Sequence, residues 1–334
     1  MARCHGCKKP LNTQNDSRAH IIPNALGGRL APKGLICQTC NTRLDEAADN
    51  ALVEAFGAWP TLLDLPRQRG QNPPKKISTR KGSQVRCEAD GSIARMDVHY
   101  NVQVVSEGHK VEISAGDMKT MRELINRAAK QFPQLDPTLA ERYARKVEMS
   151  LDDEIKLSLD FAPKAVFGGA ISILWLFLLA KTGQAIMAWD RLLECITTMQ
   201  SSGGKFRHFV DGLPGLSGPS IGLSHKIIVR SVPGTGELIG YIEILGVLKI
   251  GGLFACGPIG VVIEHIYAYD LLRNADRSNE FSIASTIFDA QEWRSVGLGP
   301  FEAEALKVHF KGALHQLATY IYSRKRGKGT GILF

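Results

Sequence analysis

The sequence predicts an α+β protein in two unequal parts, a small N-terminal module and a larger mixed α/β domain. Three observations carry this. Two CxxC pairs, Cys4-His5-Gly6-Cys7 and Cys37-Gln38-Thr39-Cys40, stand 29 residues apart at the start of the chain. A stretch rich in Pro, Gly and basic residues, Pro66 to Ser83, follows them. From Val85 onward, short apolar runs with strand character alternate with longer segments of helical period. At 334 residues, 44% hydrophobic and 22% charged, the chain has room for both parts and the composition of a globular protein.

The paired cysteines set the character of the first part. Four thiolates in two knuckles suit a tetrahedral Zn²⁺, with each sulfur about 2.3 Å from the metal. A shell closed by Cys4, Cys7, Cys37 and Cys40 leaves no open coordination position. The zinc is therefore expected to staple a segment too small to build its own core, and chemistry must come from elsewhere. The candidate for that chemistry is His20, between the knuckles. Cys87, Cys195 and Cys256 are scattered, a pattern expected of reduced thiols in the cytoplasm rather than of a disulfide framework. Met1-Ala2-Arg3-Cys4 runs into the first knuckle with no apolar stretch, so no secretory signal is expected.

Along the module, residues 1–63, the expected order is knuckle, short strand with His20, loop, second knuckle and helix. Pro23 and Gly27-Gly28 mark a turn after His20. The helix over Asn41–Phe56 carries Leu44, Ala48, Ala51, Leu52 and Ala55 on one apolar stripe. Residues 64–84 are expected as a basic Pro/Gly linker, extended near Pro73-Pro74. The domain 85–334 is expected to hold strands over Ile93–Val98, Tyr100–Val105 and Val111–Ser114. Helices over Met118–Phe132, Thr138–Val147, 165–180 and Gln184–Met199 come next. Strands over His225–Val232, Leu238–Leu248 and Gly252–Cys256 and a final helix over Phe301–Tyr322 complete it.

Ala165 to Ala180 has no charge across its 16 residues, with Lys164 and Lys181 at its ends. That is short of the roughly 20 residues a bilayer needs, so a buried core helix is expected and no membrane partner. The charge is uneven. Residues 1–86 hold 14 Lys+Arg against 6 Asp+Glu, which is the whole net +8 of the chain; the remainder holds 27 of each sign. A basic region of that kind suits a phosphate backbone, through counterion release. Arg18 and Arg29, which flank His20, and Lys75, Lys76, Arg80 and Lys81 are the candidate DNA-contacting residues. No second catalytic constellation is visible: His208, His225 and His265 are isolated.

The run Ser17-Arg18-Ala19-His20-Ile21-Ile22-Pro23-Asn24-Ala25-Leu26-Gly27-Gly28, then Gly34-Leu35-Ile36-Cys37 and Cys40-Asn41, resembles the HNH (ββα-metal) endonucleases. The likeness is to the four-cysteine, zinc-bearing branch, and it covers roughly residues 1–56. It implies a zinc-stapled ββα-metal module in which His20 is the general base and Asn41, at the start of the helix, binds a catalytic Mg²⁺ or Mn²⁺. Members of the family carry an acidic residue or His before the first His as the other metal ligand. Here that position is Ala19, which cannot bind a metal. Three accounts fit: an introduced inactivating substitution, a carboxylate supplied instead by Asp45, or natural loss of catalysis with DNA binding retained.

The expected function is thus metal-dependent hydrolysis of DNA phosphodiester bonds by an HNH endonuclease, in a restriction or antiviral defence setting, with the metal site impaired at Ala19. The alternative is a non-catalytic, zinc-containing DNA-binding or regulatory protein. The C-terminal domain is expected to select the target, to sense a ligand or protein partner, or to set the oligomeric state. Cutting both strands with one such site favours a homodimer.

Overall fold

The computed structural model describes residues 2–284 apart from 69, 89–91, 107, 146–152, 158, 160–162, 186, 199–203, 210–211, 233–234 and 256–261, together with residues 311, 312, 315 and 319. Most of the expected helix Phe301–Tyr322, Cys256 and the basic residues after it lie outside the described residues.

The fold is α+β, a small N-terminal cysteine-cluster module with a larger α/β region after it. The module begins as an irregular two-stranded ribbon. Ser17 N–H donates to Ile36 O and Ile21 N–H to Leu30 O, while Asp16 bridges Cys37. The expected short strand with His20 is this ribbon, whose backbone pairing is too intermittent to form a regular strand. Cys37 caps helix α1 (Gln38–Leu44), which runs through a π-helical turn (Asp45–Asp49) into α2 (Asn50–Ala55). Leu44, Ala48, Leu52 and Ala55 of the expected stripe are buried, and Ala51 is half-buried. Helix α3 (Trp59–Leu62) closes the module.

The stretch that composition marks as a linker carries structure of its own. Thr61 Oγ1 donates to Pro73 O and Asn72 Nδ2 to Leu65 O, which holds Asn72 and Pro73 back against the module. Strand β1 (Lys75–Ser78) then pairs with β2 (Gln84–Cys87), and β2 with β3 (Ile93–Arg95). Side-chain hydrogen bonds and a β-ladder order this segment despite its scarcity of large apolar residues, and such long-range partners leave no local sequence signal.

Strands β4 (His99–Val105) and β5 (Gly108–Ser114) form a hairpin, followed by α4 (Met118–Gln131) and α5 (Pro137–Tyr143), each capped by an Asp side chain, Asp117 and Asp136. Helix α6 (Pro163–Thr182) is apolar on every side, and its window Ala165–Thr182 is long and apolar enough to cross a membrane by length and composition. It is instead packed against α2, α7 (Trp189–Thr198) and the main sheet, with Val166, Ala170, Ile173, Leu174, Trp175 and Phe177 buried. A helix without a polar face has to be covered all round, and here protein covers it.

The main sheet uses β6 (Gly204–His208), β8 (Ser224–Val232), β9 (Glu237–Ile244), β10 (Leu248–Ala255), β11 (Glu264–Asp270) and β12 (Ala275–Asp276), ordered β12-β11-β8-β9-β10-β6 and antiparallel throughout. A two-residue pair, β7 (Leu216–Ser217) with β13 (Ser282–Ile283), lies outside it. Central strands β8 and β9 are buried along almost their whole length, so both faces are covered. Ile227, Val229 and Ile242 on one face join a core that also contains Cys4, Ile22, Leu52 and Trp175. On the other face Ile228, Ile239 and Tyr241 pack with Phe209 and Leu213. The cysteine module and the main sheet thus share one core.

Candidate functional site

The four cysteines converge. Their sulfurs lie within 4.8 Å of one another, and Cys7 Sγ stands 3.7 Å from Cys37 Sγ. A tetrahedron with metal–sulfur bonds of about 2.3 Å has edges of about 3.8 Å, so the cluster fits a structural zinc. Cys37 N–H donates to Cys4 Sγ at 3.2 Å, the kind of contact that supports a ligating sulfur. A backbone hydrogen bond from Lys9 holds Cys7 down to about 7, while burial pushes Cys37 and Cys40 up. A Zn²⁺ ion bound by the four sulfurs would supply the charge that compensates thiolates packed this closely.

His20 sits on the ribbon between the knuckles, half-buried, just before the turn Ile21–Gly28. A single 3₁₀ turn (Asn24–Leu26) follows Pro23, and Gly27 ends it at φ +86°. Gly28 approaches Ile22 so closely that a Cβ would lie 1.8 Å from the Ile22 carbonyl oxygen. The Gly-Gly pair is thus dictated by geometry, first a left-handed residue and then a close backbone approach. Within this turn Asn24 Oδ1 accepts the backbone N–H of Gln68 at 2.9 Å. Gln68 Nε2 donates to Arg29 O at 2.9 Å, and Gln68 Oε1 lies 3.2 Å from His20 Nε2.

Asn41 lies in the first turn of α1, where Nδ2 donates to Asp45 Oδ2 at 3.4 Å. Asp45 begins the π-helical turn and Asp49 ends it. Burial, then the neighbouring Asp45 charge, pushes the Asp49 carboxyl well up, and burial raises Asp45 as well. Ala19 is completely buried in the core, packed with the apolar residues of the module.

The basic candidates separate into groups. Arg18 is exposed beside His20. Arg29 is half-buried and turned toward Tyr269 on β11, where its charge and hydrogen bond oppose the upward push of burial on that phenol. Lys75 and Lys76 lie on β1, Arg80 and Lys81 on the turn after it; Arg80 pairs with Glu154 at 3.1 Å, and Lys81 N–H donates to Asp153 Oδ2. Sequence reasoning missed Gln68 and His225. Gln68 carries no signal in a stretch that reads as linker. His225 is wholly buried on β8, and its Nε2 stands 2.9 Å from Leu26 O in the turn after His20.

In comparison with known families, residues 4–57 match the family model described as HNH endonuclease. The curated proteins and the solved structures hold no significant match to the chain. The N-terminal segment, residues 4–57, is thus similar to the HNH endonuclease family and carries a four-cysteine site fit for structural zinc.

Proposed function

We propose that the protein is a metal-dependent HNH endonuclease that hydrolyses DNA phosphodiester bonds, acting in restriction or antiviral defence in the cytoplasm. The observation that carries the reading is His20, in contact with Gln68 on the ribbon between the two cysteine knuckles, within the segment that matches the HNH endonuclease family. A neutral imidazole at that place can take a proton from an attacking water near pH 7. Asn41 would hold a Mg²⁺ or Mn²⁺ ion, with Asp45, 3.4 Å away, as the carboxylate beside it. Such an ion, when bound, offsets charge on the scissile phosphate and its leaving oxygen. Arg18, exposed and two residues before His20, would meet a phosphate. The excess of positive charge over residues 1–86 supports DNA as the partner.

Ala19 favours a second reading, a non-catalytic zinc-containing DNA-binding or regulatory protein. Cleavage of supercoiled plasmid with Mg²⁺ or Mn²⁺ separates the two, using the chain itself, Ala19→Glu, and Ala19→Glu combined with His20→Ala. A nuclease gives nicking by the chain or by Ala19→Glu, and none once His20 is removed. Salt-sensitive DNA binding with no nicking by any form would establish the second reading.

A further inference from the structure

We infer that Gln68, outside the segment that matches the nuclease family, is a positioning residue that sets the tautomer and ring orientation of His20. The inference rests on reading His20 as the general base. Three hydrogen bonds make the argument. Gln68 Nε2 donates to the Arg29 carbonyl oxygen, an atom that can only accept. Reversing the amide would set two carbonyl oxygens against each other, so Oε1 is the atom that faces His20, at 3.2 Å. An amide oxygen has no proton to give. The proton in that bond therefore belongs to His20 Nε2, and Nδ1 is the ring nitrogen that carries the lone pair.

The amide is itself held at both ends. Its backbone N–H donates to Asn24 Oδ1 in the turn that follows His20, and its side chain reaches Arg29 O beyond the Gly-Gly pair. Gln68 thus bridges the two sides of the turn. The loop that delivers it is braced by Arg67 Nη1 to Gln71 O at 3.1 Å and by buried Asn72 to Leu65 O at 2.8 Å. A general base must present the correct nitrogen to its water before the reaction begins, and a fixed acceptor on the opposite nitrogen does this at no cost in the transition state.

Long-range ¹H–¹⁵N correlation NMR of the full chain tests this at a pH where the ring is neutral, with His20→Asn used to assign the signals. The expected result is an observable Nε2–H proton on His20 in the chain, held by the Gln68 oxygen. In Gln68→Leu that proton signal is lost while the signals of buried His225 stay in place, which shows that the fold survives. An Nδ1–H tautomer in the chain, or an unchanged Nε2–H signal in Gln68→Leu, would overturn the inference. Plasmid nicking then links it to catalysis: in whichever form cleaves DNA, Gln68→Leu is expected to lower kcat about tenfold or more with little change in KM. Absence of cleavage in every form would defeat the nuclease reading and leave the NMR result on the tautomer standing.

Discussion

Position 19 is where one side chain decides between the two readings of the molecule. The resemblance to the HNH endonucleases implies a metal ligand there, and the structure places a methyl group that no solvent reaches. A carboxylate introduced at this place loses its hydration and gains no cationic partner from the apolar residues packed with Ala19. Ala19→Glu is therefore expected to lower stability by on the order of 3 kcal/mol without metal. Mn²⁺ in excess should return most of that loss, because an ion bound only by the native state stabilises it by mass action. Thermal melts of the variant with and without Mn²⁺ check this. A variant as stable as the parent in the absence of metal would show that the side chain escapes to water and does not point at a metal. At this scale the four-cysteine cluster was fully legible, because CxxC spacing is itself the geometry of a knuckle. The Asn24–Gln68–His20 chain of hydrogen bonds was not legible, because its members are polar loop residues 44 and 48 positions apart.

Among the elements, those with a strong periodic signal came out nearly where the pattern placed them. The helix expected over Asn41–Phe56 spans α1, the π-helical turn and α2, and the strand expected at His225–Val232 is β8, whereas the single strand expected over Leu238–Leu248 is β9, a turn at 245–247 and the first residue of β10. The π-helical turn could not be foreseen. It widens the helix by one residue per turn where Asp45 and Asp49 face each other, a local register change that a 3.6-residue period cannot encode. The Gly168-Gly169 pair within α6 also had a meaning that its sequence hid. A Cβ at Gly169 would lie 2.6 Å from Cδ2 and 2.9 Å from Cβ of Leu52 on α2, so the glycine lets α6 and α2 approach. Leu52 is itself fully buried and cannot swing away. Gly169→Val is expected to push the two helices apart and cost about 2–3 kcal/mol, where Gly169→Ala costs less. Urea unfolding of the two variants measures the difference; equal stability of Gly169→Val and the parent would show that the α2–α6 contact is loose.

At the scale of the whole molecule, the C-terminal sheet reaches into the module that carries His20, and a buried imidazole makes one of the polar links. His225 on β8 contacts Leu26 O through Nε2 at 2.9 Å, and its Nδ1 accepts the N–H of Leu245 at 3.4 Å. One nitrogen faces an acceptor and the other a donor, so the ring is satisfied only when neutral. Burial holds its pKa at about 4, against an ordinary value of 6.5. The unfolded chain therefore binds a proton between those two values that the folded chain refuses. Stability contributed by the neutral ring is complete above about pH 6.5, declines as the pH falls, and is exhausted below about pH 4. The difference corresponds to about 3 kcal/mol over that window. His225→Gln retains a donor for the Leu26 carbonyl and has no proton to gain, so its stability should change less across the same range. Urea unfolding at intervals from pH 7 to pH 4 is expected to give two curves, with the parent falling more steeply on acidification. Parallel curves would mean that the ring reaches solvent and is protonated in the folded state. If the parent is the steeper, the turn holding His20 and Asn24 is anchored to the sheet through a group 199 residues away. A ligand that shifts β8 would then act on the nuclease module directly, through the carbonyl of Leu26.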